Sequence, residues 1–243
     1  MQDRNRPSTP RYLISPRYLA GPDPAAVTTA DDVLLAAGWK ATREPCHTDY
    51  RDPSGQRHAR HLHSRAEHPG KPLMAWEFTA SPCPAARVTW TAWFSHDTPP
   101  EITAASAAAF AAAVADDTPG PTPEDGPRYL LPPQSPHKAT EALATAGWIR
   151  DIGRQDDSWY APNEQAVVIT ATVPGTTGKA GANWLCAARR AADAMVLWVA
   201  VASPATPTHL MAALCRALTD PAPVPRHTLP DTEIGALTVA PCP

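Results

Sequence analysis

No stretch of this sequence approaches the roughly 18 consecutive apolar residues that a membrane-spanning helix needs, so no such helix is expected. The N-terminus, Met1 to Pro10, is polar and proline-bearing and lacks the charged-then-apolar order of a secretory signal. Cysteine is sparse: Cys46, Cys83, Cys186, Cys215 and Cys242 are odd in number and form no C-x-x-C pair. A disulfide framework or zinc–cysteine site is therefore not expected, and reduced thiols in a cytoplasmic setting fit better. Glycine is scarce as well, at 12 residues, and no G-x-S-x-G, H-E-x-x-H, Walker loop or G-x-G-x-x-G occurs. The glycines of 175–181 only imitate a phosphate loop, because Gly178-Lys179-Ala180 lacks the required serine or threonine. The chain thus reads as non-enzymatic, with no cofactor and no metal site. Its net charge of -3 argues against coating DNA by bulk charge but permits a local basic patch.

What the sequence does contain is an internal repeat, the first thing to seek in any chain. Arg17-Tyr18-Leu19 recurs as Arg128-Tyr129-Leu130, at an offset of 111 residues. Ala37-Gly38-Trp39 recurs as Ala146-Gly147-Trp148 at 109, and Trp76 recurs as Trp184 at 108. The 108 register then runs on without a gap, through Trp90 and Trp198 to Thr98-Pro99 and Thr206-Pro207. The expected fold is α+β: two tandem repeats related by pseudo-twofold symmetry, each an antiparallel sheet of about four to five strands with two helices. The boundaries are 11–117 for the first unit, 118–126 for a proline-rich linker, 127–220 for the second unit and 221–243 for a proline-rich tail.

Within each unit the Arg-Tyr-Leu segment reads as a short leading strand. Apolar spacing predicts helices over 25–37 and 136–146, each closed by a glycine, Gly38 or Gly147, at the C-cap. A hairpin turn centres on Asp52-Pro53-Ser54-Gly55, and on Pro162-Asn163-Glu164 in the second unit. Strands follow near 73–80 and 88–95, with partners near 183–188 and 195–202. Closing helices over 99–115 and 207–218 are introduced by Thr-Pro, with threonine as N-cap and proline at N1. The paired tryptophans Trp39/Trp148, Trp76/Trp184 and Trp90/Trp198 are read as core.

The run Ser15-Pro16-Arg17-Tyr18-Leu19-Ala20-Gly21, then Ala-Gly-Trp, a proline turn, and the pattern from Trp90 to Ile102 resemble the actinobacterial family catalogued as domain of unknown function 317. The resemblance covers about 15–219 and implies a tandem architecture and an actinobacterial source. It is tighter in the first unit. The second has Ala202 and His209 where Phe94 and Glu101 stand. The family's name records no function, so no catalytic residues carry over.

The chemically informative segment is Arg57-His58-Ala59-Arg60-His61-Leu62-His63, which aligns with Ala166-Val167-Val168-Ile169-Thr170-Ala171-Thr172. Where the second unit has an ordinary strand, the first has arginine and histidine. Period two places Arg57, Ala59, His61 and His63 on one face and His58, Arg60 and Leu62 on the other, so at least one face must be wet. Three readings are open. The charges protect a sheet edge from aggregation. Or they contact nucleic acid, more naturally double-stranded DNA, as a basic β-ribbon. Or His58, His61 and His63 hold a metal, though no familiar ligand pattern completes the set. The nucleic-acid reading assigns contacts to Arg51, Arg57, Arg60, His61, His63, Arg65 and Lys71, and to the recurrent Arg17 and Arg128, which must then share one groove with them. The alternative is a protein-interaction or assembly module that docks a partner or a second copy through exposed sheet edges or an open face.

Overall fold

The computed structural model describes residues 9–23, 25–26, 28–63, 74–112, 127–152, 156–172 and 182–243. After β1 (Tyr12–Ser15), the first half continues with α1 (Ala30–Ala36), β2 (Lys40–Arg43), β3 (His47–Arg51), β4 (Arg57–Leu62), β5 (Met74–Ala80), β6 (Trp90–Ser95) and α2 (Pro100–Ala111). The second half follows with α3 (Pro136–Thr145), β7 (Ile149–Ile152), β8 (Asp156–Tyr160), β9 (Ala166–Thr172), β10 (Ala182–Arg189), β11 (Val196–Ala202) and α4 (Thr208–Thr219). Two short strands, β12 (Val224–Arg226) and β13 (Thr238–Pro241), close the chain. Four helices and two antiparallel sheets among the described residues make this an α+β protein.

The large sheet has ten strands in the order β2-β3-β4-β5-β6-β11-β10-β9-β8-β7. Each half adds five strands by successive pairing, and the halves meet where β6 pairs with β11, through Phe94 opposite Ala200, Trp93 opposite Val201 and Ala92 opposite Ala202. The helices form a row, with α1 against α2, α2 against α4 and α4 against α3. That row covers one side of the sheet. Side chains alternate along each strand, so every second residue meets the helices: Tyr50, Ala59, Trp76, Phe78, Trp90 and Phe94 in the first half, Trp159, Val168, Trp184, Cys186, Trp198 and Ala200 in the second. All three predicted tryptophan pairs are buried. At about 25 cal/mol per Å², burying the roughly 200 Å² of one tryptophan is worth up to about 5 kcal/mol.

Local expectations hold where backbone geometry decides. Gly38 and Gly147 follow α1 and α3 at φ +80° and +76°, and a Cβ at either would meet nothing within 4 Å, so the left-handed backbone alone favours glycine. Elsewhere the structure differs or adds detail. The Arg-Tyr-Leu segments are 3-10 turns, Arg17–Leu19 and Arg128–Leu130, rather than strands; the leading strand is β1, just upstream. The N-caps of α2 and α4 are Pro99 and Pro207 themselves, with no side-chain cap bond, and Thr98 turns instead to Ser95. The 221–243 segment, read as a proline-rich tail, contributes β12 and β13 to a three-stranded sheet with β1 between them. Arg226, 1% exposed, locks it down. Its Nη1 and Nη2 donate to the two carboxylate oxygens of Glu101 at 2.7 and 2.8 Å, and its Nε donates to the Ala20 carbonyl.

The halves also exchange their leading turns. Trp90 Nε1 donates to the Tyr129 carbonyl at 2.7 Å, and Trp198 Nε1 donates to the Tyr18 carbonyl at 2.8 Å. Each half's central tryptophan is therefore satisfied by the other half's turn. The proposed linker, 118–126, lies outside the described residues.

Candidate binding surfaces

The basic strand splits by face, and the split decides what its cations can reach. Arg57 points into the helix side and is 8% exposed. Its Nε donates to Asp52 Oδ2 at 3.0 Å and its Nη1 to the Phe110 carbonyl at 2.6 Å, at the C-terminal end of α2, where carbonyls lack helical partners. Its guanidinium also lies 4.8 Å from the Tyr129 ring centre. Burial would raise the Asp52 pKa, but its bonds from Ser54 and Arg57 outweigh that and hold it below the usual carboxylate value. His61, on the same face, stacks on Trp76 at 4.3 Å and places Nδ1 3.1 Å from Asp31 Oδ1 in the first turn of α1. Asp31 also accepts from the Tyr50 hydroxyl. His63 Nε2 lies 2.9 Å from Thr48 Oγ1.

The opposite face carries Arg60 and His58. Arg60 grips Asp49 with both ends of its fork, Nε to Oδ1 at 2.7 Å and Nη2 to Oδ2 at 3.2 Å. His58 Nε2 is 3.1 Å and His47 Nε2 3.5 Å from the same carboxylate. Burial raises the Asp49 pKa, yet the Arg60 bond and the neighbouring positive charges win and lower it overall. Burial lowers the His58 pKa more than Asp49 raises it. Arg51 is exposed and forms no ion pair among the described residues. Arg65 and Lys71 lie outside the described residues. His58 points away from His61 and His63, and among the described residues no group of three or more His, Cys, Asp or Glu could hold one metal ion.

The register gives one continuous row across all ten strands on the side away from the helices: Thr42, Asp49, Arg60, Glu77, Trp93, Val201, Leu185, Ile169, Ser158, Asp151. The first half of the row is polar and ionic up to Trp93, and the second opens with three aliphatic side chains. Two further half-rows, one on either side of this row, repeat the contrast, with Lys40, Arg51, His58, Thr79 and Thr91 in the first half. Ile149, Tyr160, Val167, Ala187 and Val199 hold the matching places in the second. Ile149 is 57% and Leu185 36% exposed, so the apolar half is open to solvent. This band was not visible in the sequence, where β9 reads as an ordinary strand; only the one-sided helix layer separates its core residues from its outward ones.

Arg17 and Arg128 do share a cleft, but not with the basic strand. It lies between α2 and α4, measures about 440 Å³, and is lined by Arg17, Arg128, Arg216, Asp220 and a run of alanines. Arg17 Nη2 pairs with Asp220 Oδ2 at 2.8 Å. Arg216 went unnoticed in the sequence because its half-turn neighbours are ordinary helix residues. Deep in the core, Cys186 and Cys215 are fully shielded, and burial pushes the Cys215 thiol up to about 12, so neither is a ready nucleophile.

No described helix is long and apolar enough to cross a membrane. No curated protein and no solved structure matches the chain. Residues 162–224, from the β8–β9 turn to the start of β12, match the family model SPDY, domain of unknown function (DUF317); the match falls in the half whose motif is looser, and it supports the resemblance between this chain and that family.

Proposed function

We propose that this is a non-enzymatic assembly module, a duplicated unit with pseudo-twofold symmetry whose open sheet face pairs with a second copy of the chain. The observation that carries the reading is the apolar band of Val199, Val201, Leu185, Ala187, Val167, Ile169 and Ile149 on the face that no described helix covers. Contiguous exposed apolar area of this kind favours burial against another surface. A second copy fits because the ionic network occupies only the first half of the face. Stacking band on band, with β10 of one copy over β10 of the other, buries aliphatic side chains and leaves Asp49, Arg60 and Glu77 in water. No member of that network then has to be desolvated. The six strands from β6 to β7, about 4.8 Å apart and about five residues long, offer roughly 500 Å² per copy. The pair would bury about 1,000 Å², at the lower bound of specific interfaces, so a weak dimer is expected.

Sedimentation velocity from about 1 to about 100 µM tests this, a range that brackets a micromolar dissociation constant. Wild type should shift from monomer to dimer, Leu185→Asp should stay monomeric, and Arg60→Gln should still dimerise. A wild-type monomer throughout, or a Leu185→Asp dimer, would end the proposal. The nucleic-acid reading has less support, since Arg57, Arg60 and His61 each already face a carboxylate.

A further inference from the structure

On the other side of the molecule, we propose that the cleft between α2 and α4 is a binding site for a small phosphate monoester, held by Arg17, Arg128 and Arg216. The volume of about 440 Å³ falls within the range of roughly 300–1,000 Å³ typical of small-molecule sites. Among the described residues, three guanidinium groups and one carboxylate, Asp220, line it. Guanidinium forks match phosphate oxygens in pairs, and an excess of them in one concavity concentrates positive potential. Two further observations point the same way. Arg17 commits Nη2 to Asp220, while its Nε is shielded from water and has no hydrogen-bond partner among the described residues, an unmet donor of the kind a ligand satisfies. His209 at the start of α4 has its pKa pushed down to about 4, by burial first and then by the charges of Arg128 and Arg216. Arg216 is exposed and makes no ion pair among the described residues.

In this arrangement Asp220 is the competitor. It caps α4, keeps Oδ1 on the Ala222 amide at 2.9 Å, and offers Oδ2 to Arg17. A dianion entering the cleft would displace that single contact and gain two or more charge-assisted bonds. The site is independent of the open sheet face, so neither proposal depends on the other.

Calorimetric titration of the full chain with inorganic phosphate, against sodium chloride at matched ionic strength, gives the test. Wild type should bind with a dissociation constant of about 1 mM or tighter. Arg216→Gln should weaken binding at least about tenfold, the loss of one charge-assisted pair, without changing the melting temperature in chloride. Asp220→Asn retains the Ala222 bond and removes only the charge, so it should tighten binding by roughly threefold to tenfold. A merely structural role for Asp220 predicts no gain. Unchanged or weaker affinity in Asp220→Asn, equal heats in phosphate and chloride, or binding of labelled duplex DNA with no response to inorganic phosphate would each overturn the proposal.

Discussion

The two sides of the large sheet differ in how closely the two halves of the chain resemble each other. On the helix side, positions 108 or 109 residues apart keep their character: Tyr50 and Trp159, Ala59 and Val168, Trp76 and Trp184, Trp90 and Trp198. Packing leaves little choice there, because a polar atom without a partner costs about 1–3 kcal/mol. On the open side the same offsets pair Arg60 with Ile169, Glu77 with Leu185, His58 with Val167 and Lys40 with Ile149. Water tolerates either set, so burial places no such constraint on this face. Arg57, opposite Ala166 in the alignment, is the exception that shows the cost. A cation on the helix side requires Asp52, two main-chain carbonyls of α2 and three aromatic rings around it.

The largest expected effect breaks that exception. Arg57→Ala leaves Asp52 buried without its cation and should cost about 3–5 kcal/mol in chemical denaturation, the usual result of halving a buried pair. A loss under 1 kcal/mol would mean that the cage contributes little. Acid comes next. Asp31, Asp49 and Asp52, all in the first half, have pKa values below the ordinary 3.8. Depressed carboxylates stabilise the fold above the unfolded value, and that contribution is lost as pH falls from about 4 through the lower folded values. Hydrogen exchange at pH 3 should therefore show β3 and β4 opening before β8 and β9, whose matching positions are Ser158 and Ala161. Simultaneous opening would remove the contrast.

Transplanting the network is a smaller perturbation. Ile169→Arg with Leu185→Glu copies Arg60 and Glu77 onto the apolar half; it should abolish self-association in sedimentation while changing stability by about 1 kcal/mol or less, because both positions are wet. A dimer that persists would show that the band is not the contact. The smallest effect belongs to Arg60→Gln, which removes a surface pair and should cost about 1 kcal/mol at most by urea denaturation, less in high salt.

Much of the scaffold was legible in the chain. Helices α3 and α4 and strands β5, β6, β10 and β11 fall within a few residues of their expected spans, because apolar period and turn residues fix such elements locally. The hairpin between β2 and β3 was not seen; Arg43 and His47 flank a turn that carries neither glycine nor asparagine. The basic segment was recognised as unusual, but its partners were not, since Asp31, Asp52 and the end of α2 reach it only through the fold. Arg17 and Arg128 were singled out as recurrent, and the cleft that joins them needed α4 to supply Arg216.

By itself the sequence determined the doubled spacing of tryptophans, glycines and turns, and with it the elements of each half, since these follow from period and backbone conformation within a few residues. The tertiary structure alone decided which side of each strand is covered and which acid meets which base. Those outcomes depend on groups tens of residues apart being brought within a few ångströms, and no local pattern encodes that distance.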